Sequence, residues 1–203
     1  MLTRALLEAG ARVVAVERDA SLAGGLRARF GVAVSVVMAD VLDWRLPDEP
    51  FVVVANLPFA GSGAILSRLL RGPVTRAHVI VEWGFANKHA AIWPATLKGA
   101  YWRAFYEVEI AGRLDRSAFA PSPGVDAAVL RFTRRAVPLV PPTESDRYWR
   151  FLSEAFHARG EVRRNALTPL QMKRLAATHG FRRDAQPRDL DAYQWAGIFT
   201  ARR

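Results

Sequence analysis

The stretch Phe51–Phe59, with the sequence FVVVANLPF, joins a short apolar run to a proline-containing turn. A valine-rich apolar run of this length is typical of a strand buried on both faces of a parallel sheet. Asn56, Leu57, Pro58 and Phe59 follow the run directly, which places them at the carboxyl end of the predicted strand. In open α/β sheets, ligands bind beyond that end of the strands. The stretch therefore predicts a parallel sheet and a ligand site together.

Apolar runs and helical segments alternate on both sides of this stretch. Strands are predicted at 12–17, 32–38, 51–55 and 77–81, and helices at 1–10, 21–30 and 65–70. Such alternation is the pattern of an α/β fold. Residues 106–110 and 127–132 also have strand character, and the proline- and glycine-containing segment between them favours a turn. The sequence therefore predicts a Rossmann-like, mostly parallel sheet with an antiparallel closing strand.

The last third of the chain differs from the rest in periodicity and in charge. Pro138, Pro141 and Pro142 indicate a linker, and beyond it helices are predicted at 144–158, 168–179 and 188–199, with Thr143 and Thr168 as N-caps. We therefore predict an α/β domain over 1–136 and a helical domain over 143–203. Residues 131–203 hold 15 Lys and Arg against 7 Asp and Glu. This excess predicts contact with a polyanion, unless arginine is simply common throughout the source proteome.

The composition disfavours several classes of protein. The chain has no cysteine and four histidines, so we expect neither disulfides nor a metal site. It has no apolar run of membrane-spanning length, and its first residues lack the layout of a signal peptide. We therefore expect a cytoplasmic protein that binds no membrane.

Two carboxylates are predicted at the carboxyl ends of strands. Glu17 ends one strand and can accept hydrogen bonds from both hydroxyls of a ribose. Asp40 follows the next strand and can accept a hydrogen bond from an adenine amine. Together the two side chains would hold a nucleoside. The alternative is that each only caps a local turn.

The residues after the third strand suit chemistry on an aromatic amine, which is a poor nucleophile because its lone pair is delocalised. The side-chain oxygen of Asn56 and the backbone carbonyl of Leu57 can accept the two amine hydrogens and stabilise the charge that develops on nitrogen. Pro58 restricts the backbone of Leu57 to an extended conformation, and Phe59 offers a ring for base stacking. The alternative is an ordinary turn with a core phenylalanine.

The order of Glu17, Asp40 and the Asn-Leu-Pro-Phe motif resembles that in the ribosomal RNA adenine N6-methyltransferases. These comprise the erythromycin-resistance (Erm) enzymes and the small-subunit adenine dimethyltransferases. Residues 119–126, FAPSPGVD, resemble the family's F-x-P-x-P-x-V-[DS] segment, and the tail from Arg188 to Phe199 resembles its final helix. The resemblance covers nearly the whole chain.

The resemblance implies an S-adenosylmethionine-dependent methyltransferase. The cofactor-binding residues it implies are Leu2, Glu17, Arg18, Asp40, Val41 and Asn56, and the target adenine would lie against Asn56, Leu57, Pro58 and Phe59. The family also has a strand and a glycine-rich loop before the first helix. This sequence starts at that helix, so we expect the loop upstream of Met1.

Within the family, the Erm branch is the better match. Phe at position 59, the short helical tail and the segment from Glu82 to Lys88 resemble actinobacterial Erm members. The implied substrate is an adenine of 23S rRNA, and the implied consequence is resistance to macrolides, lincosamides and streptogramin B. The alternatives are a 16S rRNA adenine dimethyltransferase, a catalytically silent RNA-binding module and, less well matched, a DNA adenine methyltransferase.

The basic tail supplies the predicted RNA contacts. They are Arg159, Arg163, Arg164, Lys173, Arg174, Arg182 and Arg183. The alternative for each is a solvated helix face. Some tryptophans could stack on bases, but most of them are expected to pack in the core or between domains; they are Trp83, Trp93, Trp102, Trp149 and Trp195. We expect a monomer.

Overall fold

A computed structural model describes residues 2–157 and 169–202. The chain divides into two compact units, residues 1–74 and 75–203. This division differs from the boundary predicted at residues 137–142, which stays a prediction. The predicted N-cap Thr168 lies outside the described residues.

The first unit alternates helices and strands as predicted. It holds α1 (Leu2–Glu8), β1 (Val13–Glu17), α2 (Ala20–Phe30), β2 (Val34–Met38), β3 (Phe51–Asn56) and α3 (Ser62–Leu69). Asp19 caps α2 by accepting a hydrogen bond from the backbone N–H of Leu22 at 2.9 Å. Gly31 ends that helix with a φ of 53°, a backbone conformation that favours glycine.

The strands β1 and β2 form a two-stranded parallel sheet. The register pairs Val13 with Val34 at one end and Glu17 with Met38 at the other. Parallel pairing brings the carboxyl ends of both strands to the same edge. The parallel character predicted for this part of the chain is confirmed.

The second unit combines an antiparallel sheet with helices. Apart from the first residue of β4, it holds β4 (Val74–Glu82), α4 (Trp83–Ala90), α5 (Leu97–Phe105), β5 (Tyr106–Leu114), β6 (Ala127–Arg134), α6 (Ser145–His157), α7 (Pro169–His179) and α8 (Ala192–Thr200). β6 pairs antiparallel with both β4 and β5, which confirms the predicted closing strands. Thr143 lies in a 3-10 turn, Pro142–Glu144, and α6 begins at Ser145. The N-cap predicted at Thr143 is therefore wrong.

One extra residue in β5 changes the direction of the side chains that follow it. Ile110 pairs with Leu130, whereas Arg113 pairs with Ala128, so Ala111 has no partner in the ladder. Paired residues of an antiparallel ladder share a face, and a shift of one residue exchanges the faces. The bulge therefore places Arg113 on the same face as Ile110 rather than on the opposite one.

Aromatic residues dominate the core of the second unit. Trp102 and Trp195 are 2% and 0% exposed, which agrees with the expectation that most tryptophans pack internally. Tyr148 of α6 packs edge-on against Phe199 of α8, with ring centroids 5.1 Å apart. Trp93 departs from the expectation, because it is 58% exposed.

Candidate functional site

The structure brings Glu17, Arg18 and Asp40 together at one edge of the β1–β2 sheet. Glu17 ends β1 opposite Met38, and Asp40 lies two residues beyond Met38. Nη1 of Arg18 lies 3.9 Å from Oδ2 of Asp40. The position of both carboxylates at the carboxyl ends of strands therefore agrees with the sequence.

Each of the two carboxylates is also part of a local turn. Oε1 of Glu17 accepts a hydrogen bond from the backbone N–H of Asp19 at 2.9 Å. Oδ1 of Asp40 accepts one from the backbone N–H of Leu42 at 2.8 Å. These contacts fix the orientation of the carboxyl groups and engage one oxygen of each. Among the described residues, the second oxygen of Glu17 has no hydrogen-bond partner.

The Asn-Leu-Pro-Phe segment is anchored at its middle and exposed at its start. Asn56 is the last residue of β3 and is exposed, whereas Leu57 is 6% exposed. The carbonyl oxygen of Pro58 accepts hydrogen bonds from the Gly61 N–H and from the Ser62 hydroxyl, both at 3.0 Å. Phe59 is half-buried. The anchoring fixes the backbone that carries the Asn56 amide.

Arg68 connects the loop after Asp40 to the helix after the Asn-Leu-Pro-Phe segment. From α3, its Nη2 donates to the carbonyl oxygen of Trp44 at 2.9 Å and its Nε donates to that of Leu42 at 3.2 Å. The planar guanidinium suits such a two-point contact. Sequence reasoning missed this residue, because an arginine in an amphipathic helix has no local signal for a loop contact.

A cavity of about 350 Å³ lies in the second unit. It is lined by Glu82, Trp83, Gly84, Arg116, Gly124, Val125 and Asp126. The backbone N–H of Trp83 donates to the carbonyl oxygen of Asp126 at 2.9 Å. The sequence motifs at 82–88 and 119–126 are therefore in direct contact, although neither was predicted to line a cavity.

Arg113 contacts two of the residues that line this cavity. Its guanidinium carbon lies 4.7 Å from the ring centroid of Trp83, and its Nε and Nη2 donate to Oδ2 of Asp126. The hydrogen bond from Arg113 lowers the pKa of Asp126. The cavity therefore has an aromatic wall and an ionised carboxylate. The bulge that turns Arg113 toward Trp83 has no signal in the sequence.

The predicted RNA contacts divide into three groups. Lys173 and Arg174 on α7 are exposed, as is Arg183. Arg182 is also exposed, but its Nε and Nη2 donate to Asp184 at 2.9 and 2.6 Å, which compensates its charge. Arg159, Arg163 and Arg164 lie outside the described residues.

Within residues 2–157 and 169–202, no helix combines the length and the apolar character needed to span a bilayer.

Residues 1–201 match a family model described as "Ribosomal RNA adenine dimethylase". An rRNA adenine N-6-methyltransferase of Corynebacterium diphtheriae is 35% identical over 161 residues, which cover 78% of this chain and 64% of that protein. The mycinamicin-resistance protein MyrB of Micromonospora griseorubida is 29% identical over 203 residues, which cover 98% of this chain and 65% of MyrB. The chain thus spans somewhat less than two thirds of the length of these two relatives.

A solved structure is similar in fold along most of the chain. The crystal structure of the 23S rRNA methyltransferase ErmE superposes with a TM-score of 0.80 and 26% sequence identity, and the match covers 94% of this chain and 82% of the ErmE chain. The Rossmann-like methyltransferase fold expected from the sequence is confirmed.

Proposed function

Because the chain belongs to the ribosomal RNA adenine dimethylase family, we propose that it methylates the exocyclic amine of an adenine in 23S rRNA, with S-adenosylmethionine as the methyl donor. The observation that carries the proposal is the position of Asn56, which is exposed at the carboxyl end of β3 beside a buried Leu57. An amide and a backbone carbonyl at that place suit an amine with two hydrogens.

The carboxylates of the first unit suit the nucleoside part of the methyl donor. The second oxygen of Glu17 can accept hydrogen bonds from ribose hydroxyls, and Asp40 can accept one from an adenine amine. Leu2, Arg18, Val41 and Asn56 complete the proposed binding set. S-adenosylmethionine supplies an electrophilic methyl group when it is bound. The hydrogen bonds from Asp19 and Leu42 hold the carboxylates in place before binding.

The target amine would be held by acceptors rather than deprotonated by a base. The Asn56 side-chain oxygen and the Leu57 carbonyl would accept its two hydrogens, which favours a tetrahedral nitrogen and stabilises its developing positive charge. Phe59 would stack on the extruded base. The two hydrogen bonds to the Pro58 carbonyl keep this backbone fixed, so little reorganisation is needed as the reaction proceeds.

The proposed RNA substrate and the proposed antibiotic resistance are inferred from the names of similar proteins. ErmE is named as a 23S rRNA methyltransferase, and MyrB is named as a mycinamicin-resistance protein. We propose that this chain acts on 23S rRNA in the cytoplasm as a monomer and confers resistance to macrolides, lincosamides and streptogramin B. Lys173, Arg174 and Arg183 would contact RNA phosphates, as would Arg159, Arg163, Arg164 and, after release from Asp184, Arg182.

The proposal is tested by methyl transfer from labelled S-adenosylmethionine to protein-free 23S and 16S rRNA. We expect label in the amine of a 23S adenine. Asn56→Ala should abolish turnover at saturating RNA while RNA affinity changes little, because the substitution removes an acceptor of the reacting amine. Asn87→Ala, a change of another exposed asparagine, should leave turnover intact.

The same assay distinguishes the other functions. Label in 16S rRNA alone would identify a small-subunit methyltransferase instead. If no RNA is labelled, and calorimetry with S-adenosylmethionine gives no heat while RNA still binds, the chain is a non-catalytic RNA-binding module. Full turnover by Asn56→Ala would contradict the proposed role of the amide.

A further inference from the structure

The loop between α4 and α5 presents two large apolar side chains to solvent. Ile92 is 62% exposed and Trp93 is 58% exposed. Neither residue belongs to the Asn-Leu-Pro-Phe segment, to the carboxylate edge or to the basic tail. An exposed tryptophan beside an exposed isoleucine leaves apolar surface in water, so this loop is a candidate for contact with a ligand.

The loop that carries Trp93 is fixed at both ends by hydrogen bonds. The N–H of Ala91 donates to the carbonyl oxygen of Asn87 at 3.2 Å, at the end of α4. Thr96 caps α5, since its hydroxyl oxygen accepts a hydrogen bond from the Gly99 N–H at 3.1 Å. Between these points, Pro94 is buried.

Close packing beneath the loop adds to this anchoring. A Cβ atom at Gly99 would lie 3.1 Å from Cβ of Pro94 and 3.6 Å from Nδ1 of His89. Gly99 thus lets Pro94 lie directly against α5. The loop is therefore packed against α5 at Pro94, whereas the neighbouring Trp93 is exposed.

The two helices that flank this loop each carry a lysine close to it. Lys88 precedes it on α4 and Lys98 follows it on α5. Both ammonium groups act on the same buried imidazole, His89, and help to lower its pKa, so both lie within electrostatic reach of one point under the loop. Between Glu82 and Glu107 the sequence contains no Asp or Glu. A ligand that contacts this surface is therefore expected to be anionic.

We propose that Trp93 is a stacking platform for an unpaired base of the RNA substrate, with Lys88 and Lys98 attracting the adjoining phosphates. Aromatic rings flanked by cations are the usual means of holding single-stranded nucleic acid, because every base has a face that can stack. Ile92 would extend the apolar contact. The inference rests on the proposed function, since it takes RNA as the substrate. An apolar protein partner explains the two exposed side chains but not the surrounding charge.

The test is equilibrium binding of a fluorescently labelled, single-stranded RNA oligonucleotide to the whole chain. Trp93→Ala should raise Kd on the order of tenfold, and Trp93→Phe, which keeps a ring, should recover most of that loss. Val137→Ala is the matched control, because Val137 is also exposed, at 81%, and should bind as the wild type does. Equal melting temperatures would establish that the variants are folded. An unchanged Kd for Trp93→Ala would overturn the proposal.

Methyl-transfer kinetics separate this inference from the proposed function. In a wild-type chain that methylates RNA, Trp93→Ala should raise KM for RNA and leave kcat nearly unchanged, since the proposed role of Trp93 is to hold RNA. If KM for RNA also stays unchanged, the proposed stacking role of Trp93 is wrong, and the proposed methyltransferase activity is unaffected. If the wild type transfers no methyl group but Trp93→Ala weakens RNA binding, the proposed stacking role of Trp93 is supported and the proposed methyltransferase activity is wrong. If Trp93→Ala instead weakens capture of a protein partner with RNA binding unchanged, the RNA platform is overturned.

Discussion

The imidazole of His179 lies directly against Gly197. A Cβ atom at Gly197 would come within 2.4 Å of both Cε1 and Nε2 of the ring. The two residues belong to α7 and α8, and Gln194 of α8 also donates to the carbonyl oxygen of His179 at 3.0 Å. The position of the His179 ring therefore depends on the missing side chain at position 197.

Gly197→Ala should destabilise the chain by about 1–3 kcal/mol, the usual cost of overpacking a close contact. Thermal unfolding followed by circular dichroism measures this effect. Combining it with His179→Ala should restore part of the stability, because the second change removes the ring. Gly24→Ala in α2, where nothing lies within 4 Å of an added Cβ, should instead be neutral or stabilising. Equal destabilisation by Gly197→Ala and by Gly24→Ala would mean that the contact between Gly197 and His179 is unimportant for stability.

The chain should lose stability as the pH falls from about 6.5 toward 4, partly because of His89. Burial, aided by Lys88 and Lys98, lowers the pKa of His89 from 6.5 to about 4. Between these values the unfolded chain binds a proton that the folded chain excludes, so acid favours unfolding by on the order of 2–3 kcal/mol. Urea titrations at several pH values measure it.

The control for this pH dependence is a second histidine variant. His89→Leu should flatten the acid limb of the stability curve, because no buried group remains there to be protonated. His157→Ala, at an exposed position, should leave that limb as it is in the wild type. The interpretation fails if His89→Leu loses stability in acid as steeply as the wild type does.

Arg68→Ala should loosen the loop that follows Asp40. The substitution removes the hydrogen bonds to the carbonyl oxygens of Leu42 and Trp44, and we expect a decrease of about 1–2 kcal/mol in unfolding free energy. Binding of S-adenosylmethionine, measured by calorimetry, should weaken more than binding of RNA. Arg71→Ala, which removes a nearby exposed arginine, should change neither quantity.

The double variant Lys173→Ala/Arg174→Ala should weaken RNA binding at low salt and flatten its salt dependence. For each cation that neutralises a phosphate in the wild type, its removal should lower the slope of log Kd against log salt by about 0.7 for a single strand. Arg182→Ala should have a smaller effect, because Asp184 already compensates that charge. A wild-type Kd that is indifferent to salt would exclude the tail as an RNA surface.

The elements that the sequence predicted well are those with a local signal. The run before Asn56 predicted a strand, and β3 ends at that residue. The predicted burial on both faces is wrong, because Val53 is buried but Val52 is 56% exposed. The carboxylates of Glu17 and Asp40 follow similar runs, and the β1–β2 register places them at one edge. The Phe119–Asp126 segment favoured a turn, and it joins two antiparallel strands.

Features that depend on distant contacts had no such signal. The contact of Arg68 with a loop 24 to 26 residues away is set by tertiary packing rather than by helical periodicity. The predicted N-cap at Thr143 is wrong because a 3-10 turn occupies Pro142–Glu144 and delays the helix. Trp93 is exposed although most tryptophans were expected to be packed, since composition does not reveal which tryptophan a loop leaves in solvent.

The unpaired Ala111 separates the spacing of β5 from the direction of its side chains. If Ala111 entered the ladder, strict alternation would turn Arg113 away from Trp83 and Asp126. Deleting Ala111 would instead remove the bulge and leave Arg113 two residues after Ile110, opposite Ala128 and on the same face. A relative that is one residue shorter here is therefore expected to keep this arginine in place, whereas a slip of register that pairs Ala111 would lose it.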